Sequence, residues 1–185
     1  MAATPSNMLP LGTLAPDFTL PDVVSGNHVT LQQLKGEKAT LLMFICNHCP
    51  YVLHVNAELI KLANDYLPRG IKCIAISSNN VLTHPDDAPD KMREVALNLN
   101  YPFPYLYDET QEVAKAYDAA CTPDFYVFDK DLKLVYRGQL DDSRPKNDKP
   151  QNGKDIRAAF DALLNNQPVA ELQRPNIGCN IKWKQ

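Results

Sequence analysis

Two apolar runs near the middle of the chain give the clearest secondary-structure signal. Residues 39–45 and 71–76 have the length of strands and are apolar at almost every position. Such runs are typical of strands that are buried on both faces of a sheet. Between them, apolar residues recur at helical spacing from Pro50 to about Leu67. Strand, helix and strand therefore form a predicted βαβ unit.

Shorter patterns extend this unit on both sides. An N-terminal hairpin is predicted from two extended segments, 18–20 and 28–31, that flank a turn-rich stretch. The remaining predicted elements are helices over 89–99, 108–117 and 155–164, a strand at 105–107, and an antiparallel hairpin of 124–128 with 132–136. Residues 1–16 are Pro-rich and predicted to be irregular. This order of elements predicts an α/β fold with a mixed sheet.

Length and charge exclude several classes of protein. The chain has 185 residues, which suits one domain, and its 19 basic and 22 acidic side chains give a formal charge of −3. That balance argues against nucleic acid as a partner. The first residues have no basic and apolar signal pattern, and polar residues interrupt the longest uncharged stretch, 39–57. We therefore expect a cytoplasmic protein with no membrane partner.

Five cysteines are too few, and odd in number, for a disulfide scaffold. Two of them form the sequence Cys46-Asn47-His48-Cys49, which lies between a predicted buried strand and a predicted helix. The first turn of a helix has unpaired N–H groups and a partial positive charge, which favour a thiolate. We therefore predict Cys46 as the nucleophile and Cys49 as the resolving thiol of a reversible disulfide.

His48 lies between these two cysteines and is a third candidate catalytic residue. When protonated it favours the neighbouring thiolate, so we hypothesise that it makes the couple more oxidising. Half of a zinc site is the competing interpretation of CxxC. The chain has no second CxxC and no HxxxH to complete such a site. We therefore expect no metal and no organic cofactor.

Several segments together resemble the thioredoxin superfamily, and within it the peroxiredoxin-like proteins related to alkyl hydroperoxide reductase. They are the CxxC-Pro motif after an apolar strand, Thr122-Pro123 before a hairpin, and residues 15–20, 108–117 and 125–138. The resemblance covers roughly residues 14–164. It implies one thioredoxin-like domain over 1–185, a three-layer α/β/α fold with a mixed central sheet and an N-terminal β-hairpin extension. Residues 165–185 form a tail outside this core.

The resemblance also implies roles for Thr122 and Pro123. Pro123 is expected to follow a cis peptide bond, and Thr122 is expected to face the cysteines. The exposed backbone of Thr122 would then pair with an extended substrate peptide lying over Cys46. Both residues are accordingly candidate substrate-binding residues.

The chain departs from thioredoxins at two positions and from peroxidases in one motif. Thr40 stands where thioredoxins have a buried Asp six residues before the first cysteine, so the proton acceptor is unassigned. Ile45 replaces the Trp that often precedes CxxC. The peroxidase motif Pro-x-x-x-Thr-x-x-Cys also fails in both registers, because the Thr offset holds Met43 before Cys46, and Cys46 itself before Cys49.

Three further cysteines and three further histidines receive structural interpretations. Cys73 is predicted to be core filler. Cys121 lies near Pro123 and is either a third redox thiol or, as we favour, a small buried residue. Cys179 in the tail is a resolving thiol, a target for glutathione or, as we favour, an idle thiol that is either on the surface or packed. His28 and His84 are predicted to lie on the surface, and His54 to be structural.

Thiol–disulfide exchange is the predicted function. Cys46 attacks a disulfide of a protein or of a small thiol, Cys49 resolves the mixed disulfide, and an unidentified thiol reductant restores the couple. Two alternatives stay open: a thiol-dependent peroxidase, and a copper-binding module that uses Cys46, Cys49 and a histidine.

Overall fold

A mixed five-stranded sheet forms the centre of the computed structural model, which describes residues 3–185. Its strand order is β6-β5-β4-β8-β9, with β4, β5 and β6 parallel and β8 and β9 antiparallel to their neighbours. The strands are β1 (Ala3–Pro5), β2 (Thr19–Pro21), β3 (His28–Thr30), β4 (Ala39–Phe44), β5 (Ile71–Ser77), β6 (Tyr105–Tyr107), β7 (Cys121–Thr122), β8 (Asp124–Asp129), β9 (Leu134–Arg137) and β10 (Ile177–Asn180). The helices are α1 (Leu31–Leu34), α2 (Pro50–Tyr66), α3 (Pro89–Asn98), α4 (Glu112–Ala116) and α5 (Lys154–Leu164), with 3₁₀ turns at Leu67–Arg69 and Pro85–Asp87.

Strand β4 is buried at all six positions, as its apolar run predicts. Leu41 and Met43 pack in a core with residues of α2, α3 and α5. Leu42 and Phe44 point to the opposite face, where they pack with α1, α4 and the β2–β3 hairpin. The predicted three-layer α/β/α arrangement with an N-terminal hairpin is therefore confirmed, because successive strand residues supply two separate cores.

The predicted βαβ unit is also confirmed. Strand β4 ends at Phe44, α2 begins at Pro50, and β5 pairs with β4 in parallel. Pro50 occupies the first turn of α2, where a missing N–H removes no helical hydrogen bond. None of the described helices is both long and apolar enough to cross a membrane.

Several predicted boundaries differ from the structure, and two of these differences have a clear local cause. The strand predicted over 28–31 ends at Thr30, because the side chain of Thr30 caps α1 in a reciprocal capping box with Gln33. The helix predicted over 108–117 is reduced to α4, because Gln111 adopts a left-handed conformation with φ 65°. In the segment predicted to be irregular, Ala3–Pro5 forms β1, while residues 1–2 lie outside the described part of the chain.

The C-terminal segment adds a second sheet that the sequence patterns do not predict. Strand β10 lies between β1 and β7 in a three-stranded antiparallel sheet. Beyond it, the Lys182 backbone N–H donates to the Asn79 side chain, and the Gln111 side chain donates to the Lys182 carbonyl. The segment predicted to be a tail outside the core is therefore bound to the rest of the protein through β10 and through Lys182.

Asp124, at the start of β8, is a buried carboxylate that connects Ser6 of the N-terminal segment to residues beside β7 and in β8. It accepts hydrogen bonds from the Ser6 hydroxyl at 2.7 Å, the Ala120 N–H at 3.1 Å and the Tyr126 hydroxyl at 3.2 Å. Burial nevertheless raises the pKa of Asp124 from 3.8 to about 6. The folded state therefore favours the protonated carboxyl group.

We predict that ionisation of Asp124 lowers stability as pH rises. The raised pKa contributes stability that is complete below about pH 4 and is lost as pH rises through about 6. Asp124→Asn cannot ionise, so wild type should lose up to about 3 kcal/mol relative to it between pH 4 and pH 7. Urea unfolding at both pH values measures this difference. Asp131→Asn, at an exposed turn, is the control, and an equal pH response of wild type and Asp124→Asn would contradict the prediction.

Candidate active site

Cys46 and Cys49 lie in the short connection between β4 and α2 and are both free thiols. Cys49 is the N-cap residue of α2, with extended backbone angles, and Pro50 follows it. Only 2% of Cys46 and none of Cys49 is exposed. The apolar strand and the proline-initiated helix thus fix both ends of the motif.

Thr122 contacts both cysteines from β7. Its hydroxyl lies 3.4 Å from the Cys46 sulfur, and the Cys49 thiol donates to its carbonyl oxygen at 3.2 Å. The peptide bond between Thr122 and Pro123 is cis, as expected. The structure thus brings the two cysteines together with Thr122, which lies 76 positions from Cys46 and 73 from Cys49 in the chain.

The backbone of Thr122 is not exposed, so that part of the substrate-binding hypothesis is wrong. Thr122 is 3% exposed and pairs with Cys179 of β10, while Cys121 pairs with Asn180. The strands approach closely at Gly178, where an added Cβ would lie 2.2 Å from the Thr122 carbonyl oxygen. The chain's own C-terminal strand therefore occupies the edge that the hypothesis assigned to a substrate peptide.

Cys179 lies in direct contact with the candidate site. Its sulfur is 2.7 Å from the sulfur of Cys49, although the two residues are 130 positions apart. Cys179 is thus a packed thiol and not a surface one, as one of the two favoured placements has it, and its packing partner is the sulfur of Cys49. The sequence signal was the apolar patch around Gly178-Cys179, which gave no indication of where the patch docks.

His48 contacts a buried carboxylate that sequence reasoning missed. Its Nδ1 lies 2.8 Å from Asp87 Oδ2, although the ring is not aligned for a hydrogen bond. The Asn47 backbone N–H and the Asn79 side-chain amide also donate to Asp87, at 2.7 and 2.8 Å. His84 stacks on His48 with ring centroids 5.1 Å apart, so His84 belongs to the surroundings of the site. A buried carboxylate therefore lies where it would pair with a positive charge on His48.

The pKa of Cys49 is lowered from its ordinary value, whereas that of Cys46 is raised. Hydrogen bonding from the Cys46 thiol is the main effect that lowers the pKa of Cys49, to about 5, against the effect of burial. Smaller contributions come from Cys179 and from the backbone N–H of Val52. The hydrogen bond to Cys49, burial and the charge of Asp87 raise the pKa of Cys46.

The thiolate expected on Cys46 stays a prediction, and the directions of the two pKa shifts favour Cys49 instead. The physical reason is the helix boundary: α2 begins at Pro50, so Cys49 is the residue at its positive end. Cys46 lies one turn earlier and nearer to Asp87. These opposite directions favour a proton on Cys46 and a negative charge on Cys49 once the pair ionises.

Cys46 opens onto a cleft between α2 and α3. The cleft has a volume of about 260 Å³, and Leu53, Val95, Leu99 and Tyr101 form its apolar walls beside Cys46. Through this cleft a small molecule or a narrow segment of another protein can approach Cys46.

The remaining candidates lie away from the two sulfurs. Cys73 is buried in β5, and burial raises its pKa to about 12, which confirms it as core filler. Cys121 is buried beside Ser6, and burial raises its pKa as well. His54 contacts Gln151 on the surface.

Three side chains offer a grouping suited to a metal ion. Ligand atoms of Cys46, His48 and Asp87 all lie within 4.8 Å of one another. Thiolate, imidazole and carboxylate are the donor types that zinc accepts. This set differs from the expected one, because Asp87 takes the place of Cys49.

Comparison with known proteins agrees with this geometry. A sequence model described as the AhpC/TSA family matches residues 11–137. The chain belongs to this family. As an AhpC/TSA protein, it is 27% identical over 120 residues to the thiol-disulfide oxidoreductase YkuV of Bacillus subtilis (strain 168), covering 64% of this chain and 78% of YkuV.

Solved structures extend the similarity over the whole AhpC/TSA chain. A conserved protein of Geobacillus kaustophilus is 63% identical with a TM-score of 0.98, covering 100% of this chain and 97% of that one. A protein of Sinorhizobium meliloti 1021 is 47% identical with a TM-score of 0.95, covering 98% of each chain. Thioredoxin-like structures superpose with TM-scores of 0.63, which shows the thioredoxin-like fold.

We predict that the reduced protein carries one thiolate at neutral pH. Its absorbance at 240 nm should titrate with a midpoint near pH 5, the pKa of Cys49. Cys46→Ala removes the main hydrogen-bond donor, so the midpoint should rise by about one unit or more. Cys73→Ala is the matched buried control and should leave the curve unchanged. An unshifted midpoint in Cys46→Ala would show that the two thiols do not share a proton.

Proposed function

We propose that this protein is a thiol–disulfide oxidoreductase whose redox couple is Cys46 and Cys49. The observation that carries the proposal is the placement of two free thiols at the N-terminus of α2, where Cys46 faces a cleft, Cys49 is buried behind it, and both contact Thr122. Membership of the AhpC/TSA family and similarity to a thiol-disulfide oxidoreductase support it.

The shared proton suggests how the buried nucleophile is activated. Cys46 attacks one sulfur of a substrate disulfide, its proton passes to the Cys49 thiolate, and the other substrate sulfur leaves as a thiolate. Cys49 then loses this proton to the leaving thiolate or to water and attacks the Cys46 sulfur. This second step releases the remaining substrate sulfur as a thiolate and leaves a Cys46–Cys49 disulfide. Cys49 thus takes the role of proton acceptor, which the replacement of Asp by Thr40 left unassigned.

Access to Cys46 limits the substrate class. Strand β10 covers the backbone of Thr122, so a peptide cannot pair there without displacing it. The cleft between α2 and α3 is open and lined mainly by apolar side chains. The favoured partners are therefore a small disulfide or a disulfide on an exposed narrow segment of a protein, and a thiol reductant of the cytoplasm that restores the couple.

The family name also raises peroxidase activity as an alternative. Peroxide reduction needs a thiolate on the attacking sulfur and hydrogen-bond donors for the peroxide. Disulfide exchange shares the need for a thiolate, but the donors that peroxidases take from Pro-x-x-x-Thr-x-x-Cys are missing here, because the Thr offset holds Met43 before Cys46 and Cys46 before Cys49. Disulfide exchange is therefore the better-supported function.

We predict that both cysteines are needed for exchange but for different steps. Cys46→Ser should lose the reduction of oxidised glutathione and of insulin disulfides almost completely, because the attacking sulfur is gone. Cys49→Ser should accumulate mixed disulfides on Cys46, visible by mass spectrometry, because nothing resolves them. Cys73→Ser is the control and should retain wild-type activity.

Two results would contradict this assignment. One is full disulfide reductase activity in Cys46→Ser. The other is rapid, Cys46-dependent consumption of hydrogen peroxide by reduced protein that does not reduce disulfides, which would favour the peroxidase alternative.

Metal binding at Cys46, His48 and Asp87 is a second candidate function, favoured by the mutual approach of their ligand atoms. Asp87 is already engaged by Asn47, Asn79 and His48. We therefore predict that reduced protein incubated with zinc retains less than stoichiometric metal after gel filtration, measured by atomic emission. One retained equivalent that is lost in both Cys46→Ser and His48→Ala would reverse this conclusion in favour of a metal site.

A further inference from the structure

Cys49 has a second sulfur neighbour that the proposed exchange reaction does not use. The sulfurs of Cys49 and Cys179 are 2.7 Å apart, and both residues are buried. Cys49 is also hydrogen bonded to Cys46. The central sulfur is therefore in contact with one thiol on the cleft side and with another on the C-terminal strand.

The contact with Cys179 is held from both sides. In the sheet β1-β10-β7, Cys179 pairs with Ala3 on one edge and with Thr122 on the other. Three residues further along the chain, the Lys182 backbone is bound through its N–H to Asn79 and through its carbonyl to Asn80. Cys179 is therefore positioned by the core of the protein rather than carried on a free end.

From this geometry we infer that Cys179 is a third redox thiol, which exchanges the Cys46–Cys49 disulfide for a Cys49–Cys179 disulfide. The inference rests on the proposed function, because that reaction supplies the Cys46–Cys49 disulfide. Cys179 attacks the sulfur of Cys49, the bond between Cys46 and Cys49 breaks, and a bond between Cys49 and Cys179 forms. One disulfide and one thiol are present before and after, so no external oxidant or reductant is consumed.

The proton that this step transfers comes from one cysteine of the site and goes to another. Burial raises the pKa of Cys179 to about 12, so Cys179 enters the step as a thiol and must give up its proton. The leaving sulfur is Cys46, whose pKa is also raised, so Cys46 accepts a proton when it leaves. The net change is a proton transferred from Cys179 to Cys46 as the disulfide moves in the opposite direction.

Moving the disulfide changes which thiol faces the substrate. After the exchange, Cys46 is again a free thiol at the cleft, and the disulfide lies between α2 and β10. The protein can then hold its oxidising equivalent away from the cleft while Cys46 remains available.

Disulfide mapping of the native full-length chain tests this inference. Wild type, Cys46→Ser and Cys121→Ser are oxidised with diamide, blocked with N-ethylmaleimide and digested for mass spectrometry. Wild type and the Cys121→Ser control should yield both Cys46–Cys49 and Cys49–Cys179 peptides. Cys46→Ser should convert two of its four thiols into the Cys49–Cys179 disulfide. Gly178→Ala, added to Cys46→Ser, should lose most of this product, because the added Cβ displaces β10 from Thr122.

The outcomes separate this inference from the proposed function. If wild type yields Cys46–Cys49 alone and Cys46→Ser keeps four free thiols, the third-thiol inference fails while the exchange function stands. If no Cys46–Cys49 disulfide forms in wild type or in Cys179→Ser, the proposed function itself fails. Circular dichroism of each reduced variant establishes that the folded protein is being mapped.

Discussion

The pairing of β10 with Thr122 is the constraint on which the rest of the site depends. Because Cys179 lies opposite Thr122 in the antiparallel register, this pairing places a third sulfur against Cys49. The same pairing covers the backbone next to Pro123 and leaves the cleft between α2 and α3 as the open side of Cys46. The close approach depends on Gly178, since any side chain there would overlap the Thr122 carbonyl.

Charge within the motif follows from where α2 begins. Its N-terminus favours a negative charge on Cys49, and the carboxylate of Asp87 disfavours one on Cys46. Asp87 tolerates burial because a backbone N–H, a side-chain amide and His48 surround it. A protonated His48 would therefore be paired with Asp87, so its influence on the Cys46–Cys49 couple is smaller than a lone imidazolium would exert.

The features that distinguish this site lie largely outside the segment that defines its family. The AhpC/TSA match ends at residue 137, before α5 and β10. The similar structure from Geobacillus kaustophilus nevertheless superposes over the whole chain, including the C-terminal strand. The family thus accounts for the sheet, the CxxC position and the loop before β8, whereas the C-terminal segment accounts for the covered Thr122 backbone and the contact of Cys179 with Cys49.

The sequence by itself determined those features that arise from neighbouring residues. The apolar runs of β4 and β5, the helical spacing of α2 and the CxxC motif before Pro50 all act over a few residues, so their patterns predicted the βαβ unit and the two central cysteines. The helix start that favours a negative charge on Cys49 is also a local feature. Residue spacing does not resolve whether α2 begins before or after Cys49, because the two cases differ by one residue. Asp87, His84 and Cys179 could not be assigned in this way. They reach the site through loop and strand packing between residues 36 to 130 positions apart, and only the tertiary structure decides which buried groups share a low-dielectric interior.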